Sequence, residues 1–249
     1  MTKPLLYISY GMAKSGSTLA FQLVSAILEE AGVPQYDLDL SEAETINDRR
    51  FVGVIRPPEL AHMVAVAKGR PQSPVVVKTH SGLWNCVAEG LDNGWIIGHA
   101  ICRDPRDIAL SMMDASRENR AWGKREGQPL RHVEDALDYV RAHAKKFQDW
   151  ARHPAIKPFS YERIAFDTEA VAAEMAKQLG VEADAKRVAK IAKASQTNFN
   201  KGRSRRHAAE LSKGVNDQIR TEFGDFIDKW CDPDFAPPKR SFLSRLTGG

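Results

Sequence analysis

The sequence predicts one α/β domain with a mostly parallel central sheet flanked by helices. Three observations lead to this prediction. Short apolar runs alternate with segments of helical periodicity, the first run leads through a glycine-containing loop into a helix, and 249 residues suffice for one large domain. Hydrophobic residues at 43% and charged residues at 27% are ordinary for a soluble globular protein.

The first strand, residues 5–10, is a short apolar run that ends at Gly11. The segment beyond the loop is helical because its apolar residues recur at helical spacing. Gly32 and Pro34 are signals that end this helix. The periodic residues are Ala20, Leu23, Val24, Ile27 and Leu28.

Three more strands are predicted at 74–78, at 94–102 and at "IKPFSYE", residues 156–162. Asp104 and Pro105 form a suitable N-cap and first-turn pair for the helix after the third strand. An irregular basic loop is expected over 196–207. The predicted helices cover 83–92, 105–117, 131–151, 168–179, 184–195 and 208–230.

The domain is predicted to cover residues 1–235, with a loosely ordered tail over 236–249 after two prolines. No segment approaches the length of a membrane span or a signal-peptide core. The three cysteines are odd in number and widely spaced, which favours a reducing cytoplasm over a disulfide framework. A net charge of only +4 gives no reason to expect nucleic acid as a partner.

The loop "GMAKSGST" has the spacing of a phosphate-binding loop but the wrong lysine position. A nucleotide-hydrolysing P-loop reads G-x-x-x-x-G-K-[ST]. Here Gly11 and Gly16 are correctly spaced, but Ser17 follows the second glycine and the lysine is Lys14. The missing post-glycine lysine argues against ATP or GTP hydrolysis, and an ordinary capped βα turn is the alternative to phosphate binding.

Two more groups of polar residues follow predicted strands. Lys78, Thr79 and His80 end the second strand, at the edge where open α/β sheets place their ligand sites. His80 there has the chemistry of a general base, or of a structural histidine. Arg103 follows the third strand and Ser111 lies eight residues later, a pair suited to a phosphate. Arg106 and Asp107, in contrast, are expected to form only capping and surface ion pairs.

Together these segments resemble the sulfotransferase family, whose sulfuryl donor is 3′-phosphoadenosine 5′-phosphosulfate (PAPS). "KSGST" at 14–18 resembles its K-S-G-T-T loop, and "KTH" at 78–80 resembles the element carrying its catalytic base. Arg103 and Ser111 are similar to its R-x7-S motif. "SYE" at 160–162 resembles the tyrosine-glutamate pair near the adenine, and "FNKGRSR" at 199–205 resembles the late loop over the 3′-phosphate.

The resemblance implies a role for each matching residue. His80 would deprotonate the acceptor hydroxyl, Lys78 would add positive field, and Lys14 would stabilise charge on the leaving phosphate. No metal is expected, because the leaving group is already a phosphate. Two sets of residues would bind the nucleotide: Ser15, Gly16, Ser17 and Thr18 at the 5′-phosphate, and Arg103, Ser111, Lys201, Gly202 and Arg203 at the 3′-phosphate, with Tyr161 near the adenine.

The sequence departs from the family pattern at three places. Leu19 replaces the aromatic residue that usually stacks on the adenine, and Asn200 replaces an arginine that Arg203, Arg205 or Arg206 would have to supply. The K-T-H match also lacks the usual leucine-proline continuation. The acceptor is therefore open among small molecules, carbohydrates and peptides, with 36–72 and 114–130, including Tyr36 and Trp122, as the expected pocket segments.

The leading hypothesis is a cytoplasmic sulfotransferase that transfers the sulfuryl group of PAPS to a hydroxyl or amine. The nucleotide product would be adenosine 3′,5′-bisphosphate (PAP). A P-loop small-molecule kinase with a rearranged lysine is the alternative enzyme, and a non-catalytic nucleotide-binding module is the alternative without chemistry. Preference for PAP over ATP, and loss of turnover in a His80→Ala variant, would distinguish the leading hypothesis from both.

Overall fold

The computed structural model describes residues 3–38, 50–69, 74–118, 124–125, 128–195 and 203–231. Within these ranges, five parallel strands form one sheet in the order β2-β3-β1-β4-β7. The seven strands are β1 (Leu6–Gly11), β2 (Phe51–Val52), β3 (Val75–Thr79), β4 (Ile96–Cys102), β5 (Lys124–Arg125), β6 (Gln128–Pro129) and β7 (Ile156–Ser160). Strands β5 and β6 form a separate antiparallel pair.

Ten helices connect and cover the strands of the described chain. They are α1 (Ser17–Glu30), α2 (Pro57–Lys68), α3 (Asn85–Asp92), α4 (Pro105–Arg117), α5 (Leu137–Ala151), α6 (Tyr161–Phe166), α7 (Thr168–Leu179), α8 (Ala185–Ala194), α9 (His207–Glu210) and α10 (Lys213–Trp230). The predicted α/β class and the mostly parallel sheet are thus confirmed.

Side chains of the central strand alternate between two apolar cores, one on each face of the sheet. Leu6, Ile8 and Tyr10 of β1 pack into the core under α2, α3, α4, α5 and α10. Tyr7 points to the opposite core, formed with α1, α7 and α8. This period-2 alternation between two covered faces explains why β1 is apolar nearly throughout.

Several predicted boundaries were wrong for local reasons. Strand β7 ends at Ser160, which is the N-cap of α6 because its hydroxyl accepts from the Arg163 N–H. Tyr161 therefore lies on a helix and not on the predicted strand. The helix predicted over 131–151 begins as a 3₁₀ turn, Val133–Ala136. The helix predicted over 208–230 is two helices, because Ser212 caps α10 separately. The sequence prediction also missed β2 and α2 inside the expected acceptor segment 36–72.

A buried polar chain crosses the sheet under β1. The Tyr7 hydroxyl donates to Gln178 Oε1 at 3.1 Å, so its oxygen accepts from His99 Nδ1, also at 3.1 Å. His99 Nε2 then accepts from Ser9 Oγ at 2.9 Å. Burial lowers the pKa of His99 to about 3, which fits this neutral tautomer. Each polar group therefore has a partner, as buried polar groups require.

We expect Tyr7→Phe to lower the free energy of unfolding by about 1–3 kcal/mol, because it leaves the buried Nδ1 of His99 and the Gln178 carbonyl oxygen unpaired. Urea denaturation of both proteins measures the difference. Tyr36→Phe, at a partly exposed tyrosine, is the control. Equal loss in the two variants would contradict a specific role for the buried chain.

The three cysteines are free thiols. Cys102 Sγ donates to the Trp230 carbonyl at 3.1 Å. Burial and the neighbouring Cys102 thiol raise the pKa of Cys231. The fold therefore brings together two cysteines that are 129 positions apart in the sequence. The predicted tail, residues 236–249, lies outside the described residues.

Candidate active site

The loop between β1 and α1 is shaped by two residues in the left-handed region. Lys14 has φ 66° and Gly16 has φ 86°. A Cβ on Gly16 would also lie 3.1 Å from the Tyr161 ring, and one on Gly11 would lie 2.5 Å from the Ser17 Cβ. Both motif glycines are therefore required by the shape of the loop.

The loop leads the chain into the N-terminus of α1. The first helical hydrogen bond runs from the Ala20 N–H to the Gly16 carbonyl at 3.1 Å. The N–H groups of Ser17, Thr18 and Leu19 consequently have no acceptor within their own helix. With the positive end of the helix dipole, these groups make an anion site at the carboxyl edge of the sheet.

Ser15 shapes the loop from inside. Its N–H and its hydroxyl both donate to the Met12 carbonyl, at 3.2 and 2.5 Å, and its side chain is buried. A second contact of the hydroxyl reaches the Ile101 carbonyl at 3.4 Å. These bonds occupy both donors of Ser15 in this structure, while its assignment as a phosphate ligand stays a prediction.

Lys78 and His80 lie beside this loop, because β3 pairs with β1 and ends at the same edge. Lys78 Nζ donates to Thr18 Oγ1 at 2.9 Å, which joins the end of β3 to the first turn of α1. Thr79 instead donates its hydroxyl to the Val52 carbonyl at 2.7 Å and so has a structural role. Lys78 is thus fixed next to the N-terminus of α1.

A hydrogen bond from the His80 ring holds this residue against the loop between β1 and α1. Its Nδ1 donates to the Gly11 carbonyl. A carbonyl oxygen only accepts, so the proton of the neutral imidazole is on Nδ1 and the lone pair is on Nε2. Burial lowers the pKa of His80 to about 4, helped by the charges of Lys78 and Lys146 and opposed by the Gly11 bond. His80 is therefore a neutral proton acceptor at physiological pH.

Arg103 joins three parts of the site. It follows the last residue of β4, and its guanidinium donates to the Lys14 carbonyl at 3.3 Å and to the Arg203 carbonyl at 3.0 Å. The same guanidinium lies 4.0 Å from the centre of the Tyr161 ring, a cation–π contact. Its Nε is buried and has no hydrogen-bond partner among the described residues. Arg103 thus retains its Nε N–H for an additional acceptor.

Asp107 anchors the segment that begins at residue 203. The carboxylate, which is fully buried, accepts from the N–H and Nδ1 of His207 at 3.0 and 2.9 Å. It also accepts from the Arg206 N–H at 3.4 Å and from Arg103 at 3.5 Å. Burial opposes its ionisation, but the hydrogen bond from His207 and the charge of Arg103 prevail and lower its pKa. The prediction of a surface ion pair was therefore wrong for Asp107.

Two other arginines near Asp107 are occupied by carboxylates. Arg206 pairs with Asp114 at 2.8 Å and with Glu210 at 2.7 Å, so its guanidinium does not replace the missing loop arginine in this structure. Arg106 pairs with Asp104, the N-cap of α4, at 2.6 Å. The sequence predicted a surface ion pair for Arg106 without naming its partner; the pair with Asp104 forms, but it is largely buried, so the predicted surface position was wrong.

Glu162 is a buried acid beside Arg103. One carboxylate oxygen accepts from Ser204 Oγ at 3.0 Å, and the other has no partner among the described residues. Burial raises its pKa to about 7, partly offset by the charge of Arg103. Glu162, the residue after Tyr161, is therefore bonded through Ser204 to the same 203–207 segment that Asp107 holds.

The remaining predicted residues divide into placed and unplaced ones. Ser111 is buried on α4, which begins just after Arg103. Leu19 is buried in the core, so it offers no surface to an adenine. Lys201 and Gly202, with Asn200 and Trp122, lie outside the described residues. The sequence prediction missed Asp107 as a site residue, and also His143, which lies close to His80. It named Glu162 only within "SYE" near the adenine, and Arg206 only as a substitute for the missing loop arginine.

Comparison with known proteins decides the family. The model of the sulfotransferase domain matches residues 7–234. The chain belongs to the sulfotransferase family. The predicted PAPS-dependent sulfotransferase is thus confirmed at the level of its family, whereas no curated protein matches the sequence.

The fold of this sulfotransferase is similar to solved structures of distant sequence. Retinol dehydratase in complex with androsterone and inactive cofactor PAP has a TM-score of 0.61 at 14% identity, over 96% of this chain and 84% of that one. The complex of retinol dehydratase with retinol and PAP gives 0.58 at 15% identity, over 95% and 84%. Mouse sulfotransferase SULT7A1 complexed with PAP gives 0.56 at 14%, over 92% and 86%.

Two features are absent from the described residues of the sulfotransferase. Those residues contain no cluster of three or more His, Cys, Asp or Glu side chains arranged to hold a metal ion. None of their helices combines the length and apolar character that a membrane crossing needs.

Proposed function

We propose that the protein transfers the sulfuryl group of PAPS to an acceptor hydroxyl or amine, with His80 as the general base. The observation that carries the proposal is the hydrogen bond from His80 Nδ1 to the Gly11 carbonyl. It ties a neutral base, with its lone pair on Nε2, to the loop that offers N–H groups to a phosphate. A base and an anion site joined in this way suit transfer of an anionic group to a hydroxyl.

In the proposed step the acceptor oxygen forms a bond to sulfur while the bond from sulfur to the phosphate oxygen breaks. The acceptor proton passes to His80 Nε2, and the electron pair leaves with the 5′-phosphate of PAP. Lys14 and Lys78 stabilise the negative charge that develops on the leaving phosphate. Such a transfer needs positioning and cationic stabilisation more than covalent catalysis.

The second phosphate of the donor would bind at Arg103, Ser111 and the segment around Arg203. The buried Nε of Arg103 supports this assignment, because a buried donor without a protein partner is costly unless a ligand accepts from it. Lys201 and Gly202 are retained as proposed ligands from the sequence motif. Tyr161, whose ring packs against Gly16 and Arg103, is retained as the residue nearest the adenine.

Titration calorimetry with PAP and with ATP tests the nucleotide specificity. We expect PAP to bind at least about tenfold more tightly, because ATP has no 3′-phosphate for Arg103. Equal or tighter ATP binding, with magnesium-dependent ATP consumption, would instead indicate a kinase. PAP binding without transfer from labelled PAPS to any acceptor would indicate a non-catalytic module.

The pH dependence of turnover tests the protonation state of His80. The base must be neutral, so kcat falls only when His80 becomes protonated, and its lowered pKa puts that fall near pH 4. We expect kcat to stay level from about pH 8 to about pH 5 and to fall about tenfold per unit below pH 4. A fall centred near the ordinary histidine pKa of about 6.5 would contradict the buried environment.

The acceptor is proposed only as a small molecule, carbohydrate or peptide that carries the reactive group. The expected compartment is the cytoplasm, on the evidence of three free thiols rather than of any missing segment.

A further inference from the structure

A second histidine, His143, lies next to the proposed base. It belongs to one stripe of α5 with Tyr139, Lys146 and Trp150, since these residues recur every three or four positions. Trp150 Nε1 donates to the Ser81 carbonyl at 3.0 Å, which fixes this stripe against the residue that follows His80. The stripe therefore faces the reaction site.

The two imidazole rings have a defined separation and orientation. Their centres are 6.4 Å apart and their planes lie at 75°. At that distance the rings do not bond each other directly, but one oxygen atom can lie within hydrogen-bond distance of both. His143 is held in place by Tyr139, which stacks on it at 4.1 Å, and by Tyr10, whose hydroxyl donates to the His143 carbonyl at 3.4 Å.

The surroundings of His143 determine which of its nitrogens carries the proton. Its side chain is buried, and its Nδ1 has no hydrogen-bond partner among the described residues. Burial, with the nearby Lys146 and His80, lowers its pKa to about 3, so the ring is neutral. An orphaned buried N–H is rarer than an orphaned acceptor, which favours a bare Nδ1 and a proton on Nε2. His80 then accepts at Nε2, whereas His143 donates at Nε2.

We propose that His143 Nε2–H donates to the acceptor oxygen and thereby makes the site selective for hydroxyls over amines. This inference rests on the proposed function. A hydroxyl has one proton, which passes to His80, one lone pair that attacks sulfur, and a second lone pair that accepts from His143. A neutral amine has a single lone pair. Once that pair attacks sulfur, nothing remains to accept the His143 hydrogen, so the donor is left unpaired.

The test uses phenol and aniline as matched acceptors, both uncharged near pH 7, with PAPS as donor. The wild type is expected to show a kcat/KM for phenol at least about tenfold above that for aniline, and His143→Phe to lower the phenol value about tenfold with little change for aniline. His143→Gln, which restores a side-chain N–H, is expected to recover most of the phenol activity. An unchanged phenol value, or an equal loss with both acceptors, would overturn the proposal.

A second measurement does not depend on turnover. Nitrogen-15 NMR of the histidine rings in the PAP complex is expected to show His143 neutral, with its proton on Nε2. A proton on Nδ1, or a charged imidazolium, would overturn the proposal even with an active enzyme. Failure of the proposed function gives a different result, which is loss of PAP binding or of transfer to any acceptor in the wild type. Calorimetry with PAP on each variant checks that the nucleotide site is intact.

Discussion

His80→Ala is expected to lower kcat by about 10²–10⁴-fold, the usual contribution of a general base, while PAP affinity stays within about threefold of the wild type. The variant loses the lone pair on Nε2 that we propose takes the acceptor proton. The N–H groups of Ser17 and Thr18 and the guanidinium of Arg103 are left in place. Initial rates with labelled PAPS measure the first effect, and titration calorimetry measures the second.

His80→Asn separates the base from the structural role of the same ring. The asparagine amide can still donate to the Gly11 carbonyl, as Nδ1 does now, but it has no basic nitrogen. We therefore expect His80→Asn to keep the unfolding temperature closer to that of the wild type than His80→Ala does, and to be as inactive. Activity near that of the wild type in either variant would reject His80 as the base.

The centre of the site could be predicted from the sequence because each of its residues follows or ends a predicted strand. The spacing from Gly11 to Gly16 predicts a strand-to-helix loop, and parallel pairing brings the ends of β1, β3 and β4 to one edge. Lys14, His80 and Arg103 therefore converge without any knowledge of side-chain contacts. The family resemblance added roles to residues whose positions this topology already brought together.

The outer part of the site could not be predicted, because its contacts join distant segments. Asp107 and His207 are 100 positions apart, and nothing in "RDPRD" distinguishes a buried carboxylate from an exposed one. His143 is a polar residue beside the apolar stripe of α5. The periodicity therefore placed it on a helix but did not indicate which part of the protein its side chain faces. Strand β2, with two residues, is too short to leave a pattern.

Arg103 and Asp107 together make the proposed nucleotide site one connected unit. Arg103 donates to the Lys14 carbonyl in the first loop and to the Arg203 carbonyl in the late segment. Asp107 holds the same late segment through the N–H groups of residues 206 and 207. Because the two segments share these partners, loss of either charge should affect both stability and affinity for the nucleotide.

Asp107→Asn is expected to lower the free energy of unfolding by about 3–5 kcal/mol, the cost of removing one partner from a buried charge pair. The substitution keeps the size of the side chain but removes the charge that Arg103 faces. It also turns an amide N–H₂ toward either the His207 donors or the Arg206 and Arg103 donors. Chemical denaturation measures the loss of stability. PAP affinity should fall as well, because the segment at 203–207 loses its anchor.

Glu59→Gln is the matched control for Asp107→Asn. Glu59 also pairs with an arginine, Arg56, at 2.6 Å, which is shorter than the 3.5 Å between Arg103 and Asp107. Arg56 is 59% exposed, however, so water screens that pair and the glutamine keeps an acceptor for the Arg56 N–H. We expect its unfolding curve to match that of the wild type within error. If the exposed pair cost as much as the buried one, burial would not be the factor that makes Asp107 important.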